Sequence, residues 1–150
     1  MRAILQVVEE ASVTIDNQVY ANIKRGLLVF VGVESLDNEE DCIWLTQKIA
    51  SMRISKDALN KMNLSIKDIE GELLVVSQFT LCANLKKGNR PSYSKAAAPS
   101  IAIPLYKKFI SHLENNIGKK VSTGVFGADM KIGLVNDGPI TIIMDSKVRD

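Results

Sequence analysis

Residues 27–33 read Leu-Leu-Val-Phe-Val-Gly-Val, seven positions without a polar side chain. Side chains along a strand point alternately to its two faces, so a run that is apolar on both must be covered on both. The segment therefore reads as a central strand, and the rest of the chain must supply neighbours and cover. Residues 3–8, Ala-Ile-Leu-Gln-Val-Val, are a second β-rich run. Residues 11–15 alternate as a strand does, Asp16-Asn17-Gln18 is a turn, and Val19 to Ile23 returns, which makes 11–23 a hairpin. Glu72 to Phe79 is a further strand. Two final strands at 129–136 and 140–145 are joined by the turn Asn136-Asp137-Gly138-Pro139.

Two helices complete the chain. Asp37 followed by Glu40 resembles an N-terminal cap, and Cys42, Leu45, Ile49 and Met52 share one face, so a helix is expected over 38–51. Residues 55–70 are polar and irregular and read as loop. Pro99 suits the first turn of a helix, where its missing N–H costs nothing. That helix buries Ala102, Leu105, Phe109, Leu113 and Ile117 and stops at Gly118. With no repeat, linker or internal break in composition, residues 1–150 read as one domain. The expected class is α+β: curved, mainly antiparallel β-sheets forming a barrel-like core with two main flanking helices.

Composition narrows the functional classes. At 46% hydrophobic and 24% charged, the 150 residues exclude intrinsic disorder. No apolar stretch approaches the ~18 residues of a membrane span, and the first residues lack the layout of a signal peptide. Cys42 and Cys82 have neither metal-ligand nor redox spacing and are expected as reduced thiols in the cytoplasm. A net charge of +2 is too small to argue a nucleic-acid partner, so any such case rests on local clustering.

The inventory of reactive groups is short. His112 is the only histidine, and its helical position reads as a surface residue rather than a catalytic base. One histidine and two distant cysteines cannot assemble a zinc site, and no phosphate-binding glycine motif is present. No cofactor and no metal are expected. Three segments stand out. Ser77-Gln78-Phe79-Thr80-Leu81 gathers hydrogen-bonding side chains where a hydrophobic strand meets a loop. These groups either satisfy their own backbone or face a ligand. Asn136-Asp137-Gly138-Pro139-Ile140-Thr141 is either a plain turn or a rigid main-chain element. In the second case a cis Gly-Pro bond would turn two carbonyls to the same side, to grip an ammonium group. Lys86, Lys87, Arg90 and Lys95 lie in one basic loop with Gly88 and Tyr93. It is either a solvated loop or a phosphate-contacting surface.

Taken together, these segments resemble the D-aminoacyl-tRNA deacylase family. The resemblance is carried by Met1-Arg2-Ala3, Ala11-Ser12-Val13-Thr14, Gly26-Leu27-Leu28-Val29, Ser77-Gln78-Phe79-Thr80-Leu81, Lys87-Gly88-Asn89-Arg90-Pro91-Ser92, Thr123-Gly124-Val125-Phe126-Gly127-Ala128-Asp129-Met130 and Asn136-Asp137-Gly138-Pro139-Ile140-Thr141. It implies a cytoplasmic homodimer with a barrel-like α+β fold. It also implies hydrolysis of the ester joining a D-amino acid, or glycine mischarged on tRNA for alanine, to the 3′ end of tRNA. By the same resemblance Ser77, Gln78, Phe79 and Thr80 form the pocket floor, and Ala102 and Met130 are wall residues. Gly138-Pro139 is a cis pair that reaches into the partner subunit's pocket to select chirality, with Asn136 and Thr141 as support. One departure is plain: many members read Gln-Arg-Val near the start, where this chain has Gln6-Val7-Val8.

An aminoacyl ester is already activated, so the site needs mainly orientation and a place for the oxyanion. Thr80 as nucleophile would need a neighbouring base, and the motif offers no histidine or lysine. The ribose 2′-hydroxyl is the favoured assistant. Two other readings stand beside this one. They are a non-catalytic RNA-binding β-domain using the basic loop, and a related deacylase acting on L-alanyl-tRNA.

Overall fold

The computed structural model describes residues 1–149. Its organising element is β1 (Arg2–Ile15), a strand of 14 residues. One edge of β1 pairs antiparallel with β8 (Lys131–Asp145) from Arg2 to Thr14. Because that edge is occupied, the other is shared: residues 2–8 pair with β3 (Gly26–Gly32), and 11–15 with β2 (Gln18–Ile23). Beyond β3 the sheet continues in parallel to β6 (Glu72–Ser77) and β7 (Ser122–Thr123). The result is a mixed sheet nearly closed into a barrel, with α1 (Glu39–Ser51) and α2 (Pro99–Ile117) as its two helices. The α+β class holds, and the antiparallel pairings of the main sheet all meet on β1.

The apolar run that anchors the sequence reading is covered on both sides. Leu27, Val29 and Val31 join the core beneath the helices, with Leu45, Ile49, Phe109 and Leu113. Leu28 joins a second cluster with Val8, Ala11, Val13, Leu74 and Val76. β1 contributes to both because a bulge changes its parity. Its pairing steps from Val8↔Asn136 to Glu10↔Val135, one residue longer on β1 than on β8. Ala3, Leu5 and Val7 therefore face the helices, whereas Ala11 and Val13 face the second cluster with Val8.

Several local expectations are corrected. Residues 3–8 and 11–15 are one strand, not two. The hairpin after them is present, with Asp16 and Asn17 at φ 50° and 61°, the geometry of a tight two-residue turn. The cap of α1 is Asn38 with Asp41, one residue later than Asp37 with Glu40. Asp37 is used elsewhere: its carboxylate takes the Met1 ammonium at 2.6 Å and the Glu34 amide at 2.6 Å. Within 55–70 a short hairpin forms from β4 (Ser55–Lys56) and β5 (Met62–Leu64). The strand from Glu72 ends at Ser77, and Phe79–Cys82 is a 3₁₀ turn. In α2, Tyr106 is buried beside Ala102, Phe109 and Leu113, while Leu105 and Ile117 are only partly covered. Gly118 closes that helix at φ 74°.

The largest correction concerns the C-terminal segment. The stretches 129–136 and 140–145 are not two strands of a hairpin. Residues 131–136 and 140–145 both belong to β8, and both pair with β1 in the same direction, whereas Asp129 and Met130 precede the strand. The register runs Gln6↔Thr141 and then Val8↔Asn136, so residues 137–140 stand out of the sheet as a loop within one strand. Turn-forming residues signal a departure from the ladder and not its direction.

Candidate active site

The strand end after β6 sits on β3. The Gln78 amide donates to the Val31 carbonyl at 2.7 Å, extending the parallel ladder by one bond before the chain turns into the 3₁₀ segment. Ser77, Gln78 and Phe79 thereby reach one wall of a cavity of about 280 Å³. Ala102 and Tyr106 of α2 form another wall, and the segment from Phe126 to Met130 a third. The Tyr106 hydroxyl donates to the Val75 carbonyl at 2.9 Å, and burial pushes its pKa up, so it stays a neutral donor. The Gln78 side-chain amide donates to the Thr80 hydroxyl, which ties Thr80 to the strand end.

The cavity is mainly apolar, with a few polar groups converging at its strand end, the usual make-up of a small-molecule site. Asp129 is the only Asp, Glu, Lys, Arg or His in the lining among the described residues. In the sequence it stands only within the segment from Thr123 to Met130, with no feature to set it apart. Cys42 and Cys82 are both buried free thiols, and burial pushes both pKa values up, Cys42 to about 11. His112 contacts Glu39 at 3.1 Å on the helix surface, outside the cavity lining. Among the described residues no group of three or more His, Cys, Asp or Glu side chains is placed to hold a metal. Among the described residues no helix is long and apolar enough to cross a membrane.

The basic loop adjoins this site. Phe79 is 57% exposed, and Tyr93 packs edge-on against it, with ring centroids 5.0 Å apart. The loop is pinned by paired bonds between Asn84 and Ser92 at 2.8 and 3.0 Å and by the Ser35 amide donating to the Lys95 carbonyl at 3.0 Å. Lys86, Lys87, Arg90 and Lys95 are all exposed.

The Gly138–Pro139 loop lies apart. Neither residue lines the cavity of its own chain, and neither do Asn136 and Thr141. The Gly138–Pro139 peptide is cis, and both residues are exposed. Its base is a polar cluster. The Asn136 side-chain amide donates to the carbonyls of Val7 at 2.8 Å and Ile140 at 3.0 Å, across the gap in the ladder. Gln6 donates to Thr141 Oγ1 at 3.3 Å and lies 3.5 Å from Asn136 Oδ1. Val7, the point at which the chain departs from the pattern expected above, is buried among the helix-facing core. Gln6 was visible in the sequence only as part of that departure; its partners come from strand register.

The sequence profile of the D-Tyr-tRNA(Tyr) deacylase family matches residues 4–145. The D-aminoacyl-tRNA deacylase of Flavobacterium psychrophilum is 59% identical over 150 residues, covering 100% of both chains. That of Flavobacterium johnsoniae is 57% identical with the same coverage. Among solved structures, the c-Myc DNA unwinding element binding protein superposes with a TM-score of 0.90 at 33% identity, covering 97% of this chain and 98% of its own. A probable eukaryotic D-amino acid tRNA deacylase gives 0.84 at 17% identity, covering 95% and 97%, and shares the fold.

Proposed function

The chain belongs to the D-Tyr-tRNA(Tyr) deacylase family, and from that membership we propose that it hydrolyses the ester of D-aminoacyl-tRNA and of glycyl-tRNA(Ala) as a proofreading step in translation. It is an aminoacyl-tRNA ester hydrolase by kinship. The observation that carries the finer reading is the joining of two features at Phe79. A cavity floored by Ser77, Gln78 and Phe79 opens beside an exposed aromatic pair that leads into the basic loop. The cavity accepts the aminoacyl group, Phe79 and Tyr93 offer ring surfaces for the terminal adenosine, and Lys86, Lys87, Arg90 and Lys95 meet backbone phosphates.

In this reading the main chain around Phe79 and Thr80 stabilises the developing oxyanion. The Thr80 hydroxyl is bonded to Gln78 and does not itself line the cavity, whose lining holds no histidine or lysine to act as a base. The ribose 2′-hydroxyl therefore positions or activates water. The Gly138–Pro139 loop holds the α-ammonium and leaves an L side chain no room, whereas glycine has none to exclude. Since that loop does not line its own cavity, a second copy of the chain supplies it, and the working form is a homodimer. An apolar row supports this. Ile4 lies between Phe30 and Ile143 on paired strands, and Ile143 is 76% exposed. We place the enzyme in the cytoplasm with its tRNA substrate.

Release of free amino acid from D-aminoacyl-tRNA, with L-aminoacyl-tRNA spared, is the expected result. No release would leave an RNA-binding domain; preference for L-alanyl-tRNA would assign the relaxed specificity of a related deacylase. A substrate ending in 2′-deoxyadenosine should turn over far more slowly, and Thr80→Ala should keep most of its rate. The reverse pair of results would restore Thr80 as nucleophile.

A further inference from the structure

The segment that carries Phe79 and Thr80 is too short to hold itself in place. Phe79–Cys82 is a four-residue 3₁₀ turn with no side-chain cap. Its own closure rests on Leu81 N to Gln78 O at 3.2 Å and Ala83 N to Thr80 O at 3.1 Å. Beyond the side-chain contacts of Thr80 with Gln78, Phe79 with Tyr93 and the Cys82 thiol with the Val33 carbonyl, two contacts bear on its backbone. The first is close approach to β3: a Cβ on Gly32 would lie 2.9 Å from the Gln78 carbonyl oxygen and 3.0 Å from Leu81 Cβ. The second is Arg2. Its Nη1 donates to the Leu81 carbonyl at 3.0 Å, its Nε to Asp145 Oδ2 at 3.0 Å, and its Nη2 lies 3.3 Å from Glu34 Oε1. Strand register brings these together, since Arg2 pairs with Gly32 on one edge and Asp145 on the other.

We propose that Arg2 is a positioning residue for ester hydrolysis, which fixes the Phe79–Thr80 main chain through the Leu81 carbonyl. The inference rests on the deacylase reading above. Asp145 accepts a hydrogen bond from the guanidinium, Glu34 faces it as an ion pair, and the planar fork delivers a second N–H to the turn. A lysine ammonium keeps the charge but cannot bond Asp145 and the Leu81 carbonyl in that fixed geometry. Donors aimed at an oxyanion lose their effect with sub-ångström displacement, so a loosened turn should slow chemistry more than it weakens tRNA binding.

The test compares wild type, Arg2→Lys and Arg2→Ala for hydrolysis of D-aminoacyl-tRNA, with folded fraction by circular dichroism at the assay temperature. Amide NMR spectra are recorded without substrate. For Arg2→Lys we expect kcat to fall by about tenfold or more and KM to stay within about twofold. The amide signals of Phe79, Thr80 and Leu81 should move while those of α2 stay. Wild-type kcat in either folded variant, a rate loss matched by the loss of folded protein, or unmoved turn amides would each overturn the proposal. A wild type that releases no amino acid sinks the deacylase reading instead, and the amide shifts still report on the clamp.

Discussion

Replacing Asn136 by alanine isolates what holds the Gly138–Pro139 loop. The loop interrupts the β1–β8 ladder, and the Asn136 side chain supplies substitute bonds across the gap, to Val7 O at 2.8 Å and Ile140 O at 3.0 Å. Alanine removes both donors. A net hydrogen bond contributes ~1 kcal/mol, and partial solvent access limits the further penalty on the orphaned carbonyls, so the loss should be about 2 kcal/mol. The Oδ1 contacts at 3.4 and 3.5 Å are long and add little. For a chain of this size such a loss lowers Tm by about 4–8 °C. Activity should suffer beyond stability, because the loop tip loses its fixed direction. The assay pairs a thermal melt with D-aminoacyl-tRNA hydrolysis well below the melt. Asn136→Asp, which keeps the shape and sets a carboxylate against two carbonyls, should be worse on both. An alanine variant that melts within about a degree of wild type and keeps full activity would refute the reasoning.

Three further outcomes are expected. Burial pushes the Asp41 carboxyl up, but Lys147, Ser146 and the Asn38 amide outweigh it and hold the pKa at about 2, below its ordinary 3.8. The stability this contributes is complete above the unfolded value and lost as pH falls toward 2. It is on the order of 2 kcal/mol, and Asp41→Asn should flatten the acid limb of Tm against pH there. Neutralising Lys86 and Lys87 together should raise KM for tRNA and reduce its salt dependence, while hydrolysis of a D-aminoacyl-adenosine fragment is unchanged. Ile143→Asp should shift the sedimentation profile from dimer to monomer and abolish deacylation; a monomeric variant with full activity would remove the need for a second copy.

The central strand, both helices and the helix stop at Gly118 were legible because each rests on local periodicity or backbone preference. The strand-end motif and the basic loop could be named from sequence, and structure joined them through Phe79 and Tyr93. What sequence hid was tertiary. The cap moved from Asp37 to Asn38 because a distant ammonium claims the Asp37 carboxylate. Tyr106 lies inside because a carbonyl on β6 receives its hydroxyl. Arg2 and Gln6 carried no role in the sequence, since the groups they touch lie some 32 to 143 positions away.

The loop within β8 can be excised on paper. Deleting Asp137, Gly138 and Pro139 joins Asn136 to Ile140, and the partners of Gln6, Val7 and Val8 become Thr141, Ile140 and Asn136 in unbroken succession. Val7 and Ile140 already belong to the same apolar cluster, so the shortened strand would keep its inward side chains. The barrel would be more regular without these three residues than with them. Folding gives no reason for their presence, which leaves what their tip meets beyond the molecule's own surface.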